Sequence, residues 1–328
     1  MKKGLLVTIL TAALLLIPVN MFANDHISEG DMNPGDEILT LGHYDAVTKT
    51  ETIETVSLSE LKAQNEAMKA KLGLTGQNVL NGYDPTSGTS TASMGEDGAA
   101  PQTLFGDYTQ SKVNVNNYPY RCVMFLRLGT DKDGDGVIDL WGNGSGFLVG
   151  NNVMVTAAHC FVTKVNGENT FINQCRIYPL QSSGSYSSTN YYLPKNWTYS
   201  TVYMESENVE HDWIVASLFN SLGSEHGYFA VRDWSASIAG VTAAVSGYPS
   251  ETTEKKYYQY CSSGPLKSYT TKRMSYLMDT EGGNSGCPVY VSGNQVIGIH
   301  TGGGTQANWA LRIFEALYTV IENMRLSG

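Results

Sequence analysis

A serine placed among three glycines could act as the nucleophile of a covalent reaction. Ser285 lies in the run Glu281-Gly282-Gly283-Asn284-Ser285-Gly286. Glycines let a backbone turn tightly and approach a bound molecule closely. In such a turn the N–H groups of Gly283 and Ser285 could point at one oxygen, as a negatively charged tetrahedral intermediate requires. A glycine-rich serine turn is by itself most often an ordinary loop, so this interpretation needs partners elsewhere in the chain.

A histidine and an aspartate in two other segments complete the set that a serine nucleophile needs. A hydroxyl is a weak nucleophile unless a neighbouring base takes its proton. Of the six histidines, His159 directly follows an apolar, strand-like run and lies in Thr156-Ala157-Ala158-His159-Cys160. Asp212 precedes the apolar run Trp213–Ala216, where a carboxylate needs a hydrogen-bond donor such as an imidazole N–H. Each residue alone would indicate packing or capping, but together they predict a triad with Ser285.

The order of these residues and the segments around them resemble one family of proteases. Histidine, aspartate and serine follow one another in the order of the chymotrypsin type, which differs from the order in subtilisins and α/β-hydrolases. The chain resembles the chymotrypsin-like serine proteases and, more narrowly, the bacterial glutamyl endopeptidases. The matching segments span residues 103 to 313 and are Tyr118–Arg121, Gly144–Phe147, Thr156–Cys160, His211–Ile214, Ser246–Pro249, Asp279–Pro288 and Ile297–His300.

The resemblance implies both a fold and a reaction. The fold would be all-β, with two six-stranded antiparallel β-barrels, a C-terminal helix and an active site between the barrels. The first barrel would carry His159 and Asp212, and the second would carry Ser285. The activity would be that of a serine endopeptidase that acts on proteins or peptides through an acyl-enzyme. The N–H groups of Gly283 and Ser285 would form the oxyanion hole, and catalysis would require no cofactor.

The resemblance also implies which residue precedes the cleaved bond. His300 matches a family histidine that contacts a substrate glutamate, and Thr280 matches an assisting threonine. A new α-amino group at Thr103 would complete this carboxylate-binding pocket. Asp279 lies where trypsin-like enzymes hold the aspartate that binds arginine or lysine, so cleavage after those residues is the alternative. Glu281 adds a negative charge nearby, which would oppose an acidic substrate if its side chain faced the pocket.

Short apolar runs between clusters of Gly, Ser and Asn predict many short strands in residues 103–328. These runs are Arg121–Leu128, Gly146–Val149, Val153–Ala157, Trp213–Leu218, Val241–Val245, Pro288–Val291 and Gln295–Ile299. Near the end of the chain, apolar residues recur at helical spacing, which predicts a helix packed on the β-body. They are Phe314, Leu317, Ile321 and Met324.

The beginning of the chain is typical of an exported protein. Lys2 and Lys3 precede the apolar run Gly4–Val19, and the small residue Ala23 follows it. This pattern predicts a signal peptide over residues 1–23, and a membrane anchor is the alternative. We therefore expect a secreted, extracellular protein that has no membrane association after processing.

Residues 24–102 differ in composition from the rest and are interpreted as a prosegment and linker. Residues 84–101 are rich in Gly, Ser, Thr, Ala and Pro, which is typical of an accessible linker. Residues 103–328 would then be the protease domain, released by cleavage before Thr103. The alternatives are a cut after Glu96 and a permanent N-terminal appendage.

One helix is predicted within this prosegment. Ser57 and Glu60 fit a capping box at the start of the helix, and Gly73 fits a stop at its end. The buried face would be a narrow apolar stripe formed by Leu58, Leu61, Met68 and Leu72.

An acidic loop resembles a calcium-binding loop of the EF-hand type. Carboxylates occupy positions 1, 3, 5 and 9, and Gly136 occupies position 6, but Gly142 stands where the usual twelfth-position glutamate would be. Such a loop would hold a structural calcium ion, and the alternative is a solvated hairpin tip. The candidate ligands are Asp131, Asp133, Asp135 and Asp139.

The cysteine count and the net charge narrow the possible disulfides and binding partners. Five cysteines in an exported chain predict disulfides, for which the pairs Cys160–Cys175 and Cys261–Cys287 are proposed, with Cys122 left over. The net charge of −10 argues against a nucleic-acid partner, and a monomer is expected. Two other classes remain, a catalytically idle relative used for binding and a calcium-dependent binding protein.

Overall fold

The structure, a computed structural model, describes residues 36–86, 109–250 and 253–328. The predicted signal peptide, most of the predicted linker and Thr103 lie outside the described residues. Strands dominate the described chain. In chain order they are β1 (Ile38–Asp45), β2 (Thr50–Ser57), β3 (Ser111–Lys112), β4 (Val123–Thr130), β5 (Leu140–Leu148), β6 (Val153–Thr156), β7 (Val162–Val165), β8 (Glu168–Phe171), β9 (Gln174–Tyr178), β10 (Pro194–Ser200), β11 (Ile214–Leu218), β12 (Ala230–Val231), β13 (Thr242–Gly247), β14 (Tyr260–Tyr269), β15 (Arg273–Tyr276), β16 (Pro288–Val291), β17 (Gln295–Gly303) and β18 (Asn308–Arg312).

The helices are few and lie mostly outside the sheets. In the described ranges they are α1 (Leu58–Leu72), α2 (Thr201–Ser206), α3 (Leu222–His226) and α4 (Glu315–Ser327), with 3₁₀ turns at Tyr120–Cys122, Ala158–Cys160 and Val209–His211. None of these helices is both long and apolar enough to cross a membrane. The predicted C-terminal helix is confirmed as α4, which buries Leu317 and Ile321 and begins directly after Phe314.

The C-terminal half forms a closed barrel of six antiparallel strands. Their order is β17-β16-β13-β14-β15-β18, and β17 also pairs with β18, which closes the ring. Two predicted strands are confirmed here, since Pro288–Val291 has the predicted bounds and the predicted Gln295–Ile299 lies within β17. All four residues of β16 are buried, because one face fills the barrel and the other is covered by the rest of the protein.

The N-terminal sheet is larger than the predicted six-stranded barrel. Strands β9-β4-β5-β6-β11-β10 follow one another as expected, and β1 and β2 then add to the far edge of β10. In the described residues, β9 meets the chain before β10 only through one bridge between Ile177 and Tyr192. The all-β, chymotrypsin-like fold is thus confirmed, and a hairpin from the predicted prosegment extends its first sheet.

Helix α1 begins and ends where the sequence predicts. The Ser57 hydroxyl oxygen accepts a hydrogen bond from the Glu60 N–H at 3.2 Å. At the other end, Gly73 adopts the left-handed conformation with φ of 71°, which suits a residue without Cβ.

The buried face of α1 differs from the predicted apolar stripe. Leu72 is 56% exposed and Met68 is only half-buried, so the prediction was wrong for these two residues. Asn65 and Lys69 are buried in their place. The physical reason is that this face packs on α4, whose polar groups pair with both side chains.

The two predicted disulfides are not formed, namely Cys160–Cys175 and Cys261–Cys287. All five cysteines carry free thiols. Cys160 Sγ donates to the carbonyl oxygen of Ser285 at 3.5 Å, and Cys261 Sγ lies 3.7 Å from the Tyr290 hydroxyl. Burial raises the pKa of Cys160 to about 12 and that of Cys261 to about 11. A thiol that stays protonated is a poor nucleophile for disulfide formation.

Candidate active site

Two neighbouring strands bring His159 and Asp212 together. Strands β6 and β11 are antiparallel, and Ile214 lies opposite Thr156. His159 lies in the 3₁₀ turn that follows β6, and Asp212 lies just before β11. Because the end of one antiparallel strand lies beside the start of its neighbour, both side chains reach the same edge of the sheet.

Asp212 holds His159 through both of its carboxylate oxygens. The His159 backbone N–H donates to Oδ1 at 2.9 Å, and the ring Nδ1 lies 2.7 Å from Oδ2. Asp212 is only 3% exposed, so these donors compensate its burial. Because a carboxylate can only accept a hydrogen bond, Nδ1 of His159 must carry the proton that it donates to Asp212. Nε2 of the neutral ring is then unprotonated and acts as the basic atom.

The pKa of His159 reflects two opposing influences. Burial lowers the pKa, but the negative charge of Asp212 and its hydrogen bond raise it, and the net result lies above the usual value. About a third of the side chain remains exposed, at 32%. The imidazole is therefore both reachable from solvent and a stronger base than an isolated histidine.

The Ser285 turn is attached to the N-terminal sheet as well as to its own barrel. The Ser145 N–H, on β5, donates to the Ser285 carbonyl oxygen at 2.8 Å. Cys160, next to His159, donates to the same carbonyl through Sγ. The His159 turn and the Ser285 turn are therefore neighbours. In the described residues the Ser285 hydroxyl and the His159 ring share no hydrogen bond, and such contacts commonly tighten only when substrate binds.

Two glycines in this turn cannot be replaced without a clash. Gly283 and Gly286 have φ angles of +98° and +83°. A Cβ at Gly283 would collide with the carbonyl oxygen of Tyr248, and one at Gly286 would collide with the Thr156 hydroxyl. Both the backbone conformation and the close packing therefore require glycine.

Two hydrogen bonds from Ser250 fix the orientation of the peptide group between Gly282 and Gly283. The Gly282 carbonyl oxygen accepts hydrogen bonds from the Ser250 N–H at 2.8 Å and from its hydroxyl at 3.1 Å. In a trans peptide the following N–H points the opposite way, so that of Gly283 is directed away from Ser250. No described acceptor receives a hydrogen bond from the N–H of Gly283 or from that of Ser285.

A polar network supports the start of the same turn. Lys255 forms an ion pair with Glu281 and donates to the Gln110 side-chain oxygen at 3.0 Å. The Asn284 side-chain oxygen accepts from the Glu281 N–H at 3.2 Å. The Gln110 amide nitrogen also donates to the Asp279 carbonyl oxygen at 3.2 Å. Glu281 is therefore paired with a cation, which offsets its negative charge.

His300 lies on β17, directly beside the Ser285 turn. Its carbonyl oxygen accepts from the Gly286 N–H at 2.8 Å, and its N–H donates to the Cys287 carbonyl oxygen at 2.9 Å. The ring is 3% exposed, and Nδ1 lies 2.7 Å from the Tyr276 hydroxyl. Burial, followed by the charge on His159, lowers the pKa of His300 to about 3. The imidazole is therefore neutral near pH 7.

Two further residues predicted for the specificity pocket precede the Ser285 turn in the sequence, and both are buried. Thr280 is 9% exposed, and Asp279 is 4% exposed. The Asp279 N–H donates to the Ser262 hydroxyl at 3.1 Å. Thr103, the third predicted contributor, lies outside the described residues.

The acidic loop brings three of its four predicted ligands together. Asp131, Asp133 and Asp139 each offer a carboxylate oxygen, and these oxygens all lie within 4.8 Å of one another, whereas Asp135 is not in this group. Backbone N–H groups, led by that of Gly136, lower the pKa of Asp131 and keep it ionised. Such a set of oxygen ligands suits a hard divalent cation.

No role is predicted from the sequence for Ser145, Ser250 or Lys255. Ser145 is fully buried, donates through its hydroxyl to the Gly283 carbonyl oxygen at 2.8 Å and accepts from the Tyr248 N–H at 3.0 Å. The only signal available was that Ser145 stands between two glycines within a matching segment. Their partners lie far away in the sequence, so local patterns could not reveal these contacts.

Comparisons with known proteins find peptidases among the similar chains. Residues 144–299 match the family described as the trypsin-like peptidase domain. The glutamyl endopeptidase of Bacillus licheniformis is 27% identical over 244 residues, which are 69% of this chain and 70% of that protein. The extracellular metalloprotease of Bacillus subtilis is 28% identical over 233 residues, which are 68% and 69% of the two chains.

Solved structures show the same fold. A Glu endopeptidase in complex with MPD superposes with a TM-score of 0.57 at 21% identity, covering 68% of this chain and 99% of that one. Protease Anisep from Arthrobacter nicotinovorans has a TM-score of 0.53 at 15% identity, covering 67% of this chain and all of the other, at 100%. The resemblance seen in the sequence is thus confirmed: the chain is similar to the trypsin-like peptidase domain over residues 144–299 and to a bacterial glutamyl endopeptidase over two thirds of its length.

Proposed function

We propose that the protein is a serine endopeptidase in which Ser285 is the nucleophile, His159 the base and Asp212 the orienting carboxylate. The observation that carries this proposal is the double hydrogen bond between His159 and Asp212 beside the glycine-rich Ser285 turn. The two free N–H groups of that turn support the same reaction, because they could bind an oxyanion. A catalytically idle binding relative would not need all of these features together.

The proposed reaction follows the course of other serine triads. Ser285 Oγ attacks the peptide carbonyl carbon while its proton passes to His159 Nε2. The N–H groups of Gly283 and Ser285 bind the resulting oxyanion. His159 then protonates the leaving amine, which leaves an acyl ester on Ser285. Water, deprotonated by His159, hydrolyses that ester, releases a carboxylic acid and restores the hydroxyl.

We expect cleavage after glutamate, and also after aspartate. The Tyr276 hydroxyl lies 2.7 Å from Nδ1 of His300. In the tautomer in which this hydroxyl donates to Nδ1, neutral His300 carries its proton on Nε2 and would switch the hydrogen bond of that proton from the Trp309 backbone to a substrate carboxylate. Thr280 could add a hydroxyl donor, and Thr103 an α-amino group after processing. The name of the Bacillus licheniformis relative supports this specificity.

Cleavage after arginine or lysine remains the alternative, and it would depend on Asp279. Two observations favour glutamate. The ion pair with Lys255 offsets the charge of Glu281, so that Glu281 does not repel an acidic substrate. His300, a neutral donor, lies beside the nucleophile turn, where it would suit a carboxylate better than a cation.

The name of the Bacillus subtilis relative indicates a metal-dependent reaction. In the part of this chain that the structure describes, the side chains that could hold an ion together belong to the acidic loop between β4 and β5. We propose a structural calcium site there, formed by Asp131, Asp133 and Asp139. We also propose that the protein acts outside the cell, as the name of that relative states for itself.

A matched set of peptides tests the proposed function. The peptides differ only in having Glu, Asp, Arg, Lys or Phe before the scissile bond, and they are given to the processed protein and to Ser285→Ala. Cleavage after Glu that is lost in Ser285→Ala but retained in Ser188→Ala, an exposed serine, supports the proposal. Cleavage after Arg or Lys would keep the triad and transfer specificity to Asp279. An intact peptide set would favour the binding relative.

A further inference from the structure

The described part of the predicted prosegment, Asp36–Thr86, is built into the fold. We call these residues the N-terminal segment. It contributes two strands, a helix and several core side chains to the protein. Three separate attachments join it to the peptidase domain, and each buries groups that would otherwise lack partners.

The first attachment is a sheet edge. Strand β1 pairs antiparallel with β10 over five residue pairs, from Leu41 opposite Ser200 to Asp45 opposite Asn196. The Tyr44 ring stacks on Trp197 of β10, with ring centroids 4.5 Å apart. Without β1, the N–H and C=O groups along this edge of β10 would be unpaired, and exposed edges of this kind promote aggregation.

The second attachment is a polar contact between α1 and α4. Asn65 is fully buried, and its amide nitrogen donates to the Thr319 carbonyl oxygen and to Glu322 Oε2, each at 3.0 Å. Its side-chain oxygen accepts from the Asn323 amide at 3.0 Å. Lys69 Nζ lies 2.7 Å from Glu322 Oε1. The buried polar groups of the Asn65 side chain and the Lys69 ammonium thus all have hydrogen-bond partners on α4. A buried polar interface is specific when all of its groups are paired in this way.

The third attachment holds the end of the segment. Leu80 is fully buried, and its carbonyl oxygen accepts from the Val231 N–H at 2.9 Å. Tyr83 and Tyr228 exchange two backbone hydrogen bonds, each at 2.9 Å. Both terminal nitrogens of Arg325 donate to the Asn81 carbonyl oxygen at 3.2 Å.

None of the three attachments includes a residue of the proposed triad. The partners are on β10, on α4 and on the chain around β12, whereas His159 and Ser285 make none of the described contacts with the segment. A prosegment that blocks a protease must cover its cleft. The described contacts of the N-terminal segment leave the His159 ring and the Ser285 turn uncovered, so its presence is compatible with an open active site.

We propose that the N-terminal segment is a permanent structural part of the enzyme, and that it stays bound as a separate chain after the linker between residues 86 and 109 is cut. The cut adds one water across one peptide bond and gives a carboxylate and an α-amine. The surface that retains the segment consists of the β10 edge, the α4 face and the Tyr228–Val231 strip. The peptidase domain therefore needs a β-hairpin and a helix of its own sequence as a partner.

The test is to cut the full chain at one defined place and to look for separation. A recognition sequence for a site-specific protease is inserted into residues 87–108 of the Ser285→Ala protein, so that self-cleavage plays no part. After a denaturing gel has established a complete cut, the two pieces are run on a native sizing column. We expect both pieces in one peak at the mass of the uncut protein. Elution of the N-terminal piece alone would overturn the proposal.

A pair of variants in α1 tests whether the contact between α1 and α4 retains the cut N-terminal segment. Lys69→Ala leaves Glu322 without its cation and should make release of the cut segment at least about tenfold faster. Lys71→Ala, exposed on the same helix, should leave the release rate unchanged. Equal release rates for the two variants would show that the contact between α1 and α4 does not retain the segment. Because this test uses inactive protein, its outcome is independent of the proposed peptidase activity.

Discussion

At the scale of single residues, the pH dependence of the enzyme should follow from the contact between Asp212 and His159. The proposed mechanism needs neutral His159, so activity should fall as the pH drops through the pKa of His159. Asp212 raises that pKa, while burial lowers it. In Asp212→Asn the raising influence is lost, so the acid limb of kcat/KM should move to lower pH, and kcat should fall about 10⁴-fold.

The pH profile of Asp212→Asn also provides its own control. A merely structural role of Asp212 would reduce activity equally at every pH and would leave the acid limb in place. An unmoved limb would therefore show that Asp212 does not set the basicity of His159. Circular dichroism of the variant checks that the fold is retained.

Ser250 is predicted to act as a positioning residue for the oxyanion hole. Its hydroxyl and N–H both hold the Gly282 carbonyl, which keeps the Gly283 N–H directed away from Ser250. Ser250→Ala removes one of these two bonds, so kcat should fall by about threefold to tenfold with KM unchanged. Ser250→Thr keeps the hydroxyl and should restore most of the rate.

A peptide aldehyde separates this role from general destabilisation. The aldehyde forms a tetrahedral adduct whose oxygen occupies the oxyanion hole, whereas a product peptide does not. Ser250→Ala should weaken aldehyde binding by the same factor as kcat and leave binding of the product peptide unchanged. Equal weakening of both ligands would contradict the positioning role.

His300 and Tyr276 should act together on substrate choice. His300→Ala should lower kcat/KM for peptides with Glu before the scissile bond by more than about 100-fold, because a desolvated carboxylate loses its donor. Tyr276→Phe removes the hydroxyl that orients the ring and should cause a smaller loss in the same direction. The measurement is the Glu-to-Phe ratio of kcat/KM, and an unchanged ratio in both variants would count against the pocket.

At the scale of elements, the acidic loop between β4 and β5 offers a stability test. If calcium binds only to the folded state, a calcium concentration about 100 times Kd should stabilise the protein by about 2.7 kcal/mol and raise Tm by about 5 °C. EDTA should reverse this shift. Asp133→Asn should abolish the response, while Asp135→Asn, outside the group of three carboxylates, should retain it. An identical Tm with calcium and with EDTA would exclude the site.

The sequence allowed strands to be predicted wherever an apolar run was bounded by turn residues. Strand β16 has the predicted bounds. Helix α4 forms where apolar residues recur at helical spacing, and it buries Leu317 and Ile321. The β1–β2 hairpin was not predicted from the sequence. Strand β2 is largely exposed, so its residues show little alternation between apolar and polar side chains. The polar face of α1 could not be predicted either, because Asn65 becomes suitable for burial only when α4 supplies its partners.

At the scale of the whole molecule, the candidate site lies where the two halves of the fold meet. His159 and Asp212 come from the N-terminal sheet and Ser285 from the C-terminal barrel, and Ser145 joins the two halves by donating to Gly283. The close approach of His159 and Asp212 could be predicted because each residue stands in a distinctive local segment. The role of Ser145 could not be predicted, because its partners Gly283 and Tyr248 are more than a hundred residues away and are brought to it by the packing of the two halves.

The N-terminal segment should stabilise the whole enzyme without taking part in its reaction. Leu80 is fully buried, so Leu80→Ala leaves a cavity and should lower the free energy of unfolding by about 2–5 kcal/mol. Leu72→Ala is the matched control on the same segment, because Leu72 is 56% exposed and should change stability by less than about 0.5 kcal/mol. Urea unfolding of the processed enzyme measures both values, and kcat/KM at low temperature should be the same in both variants. Equal stability of the two processed proteins would show that the segment had left, whereas a lower kcat/KM in Leu80→Ala alone would show that the segment also shapes the active site.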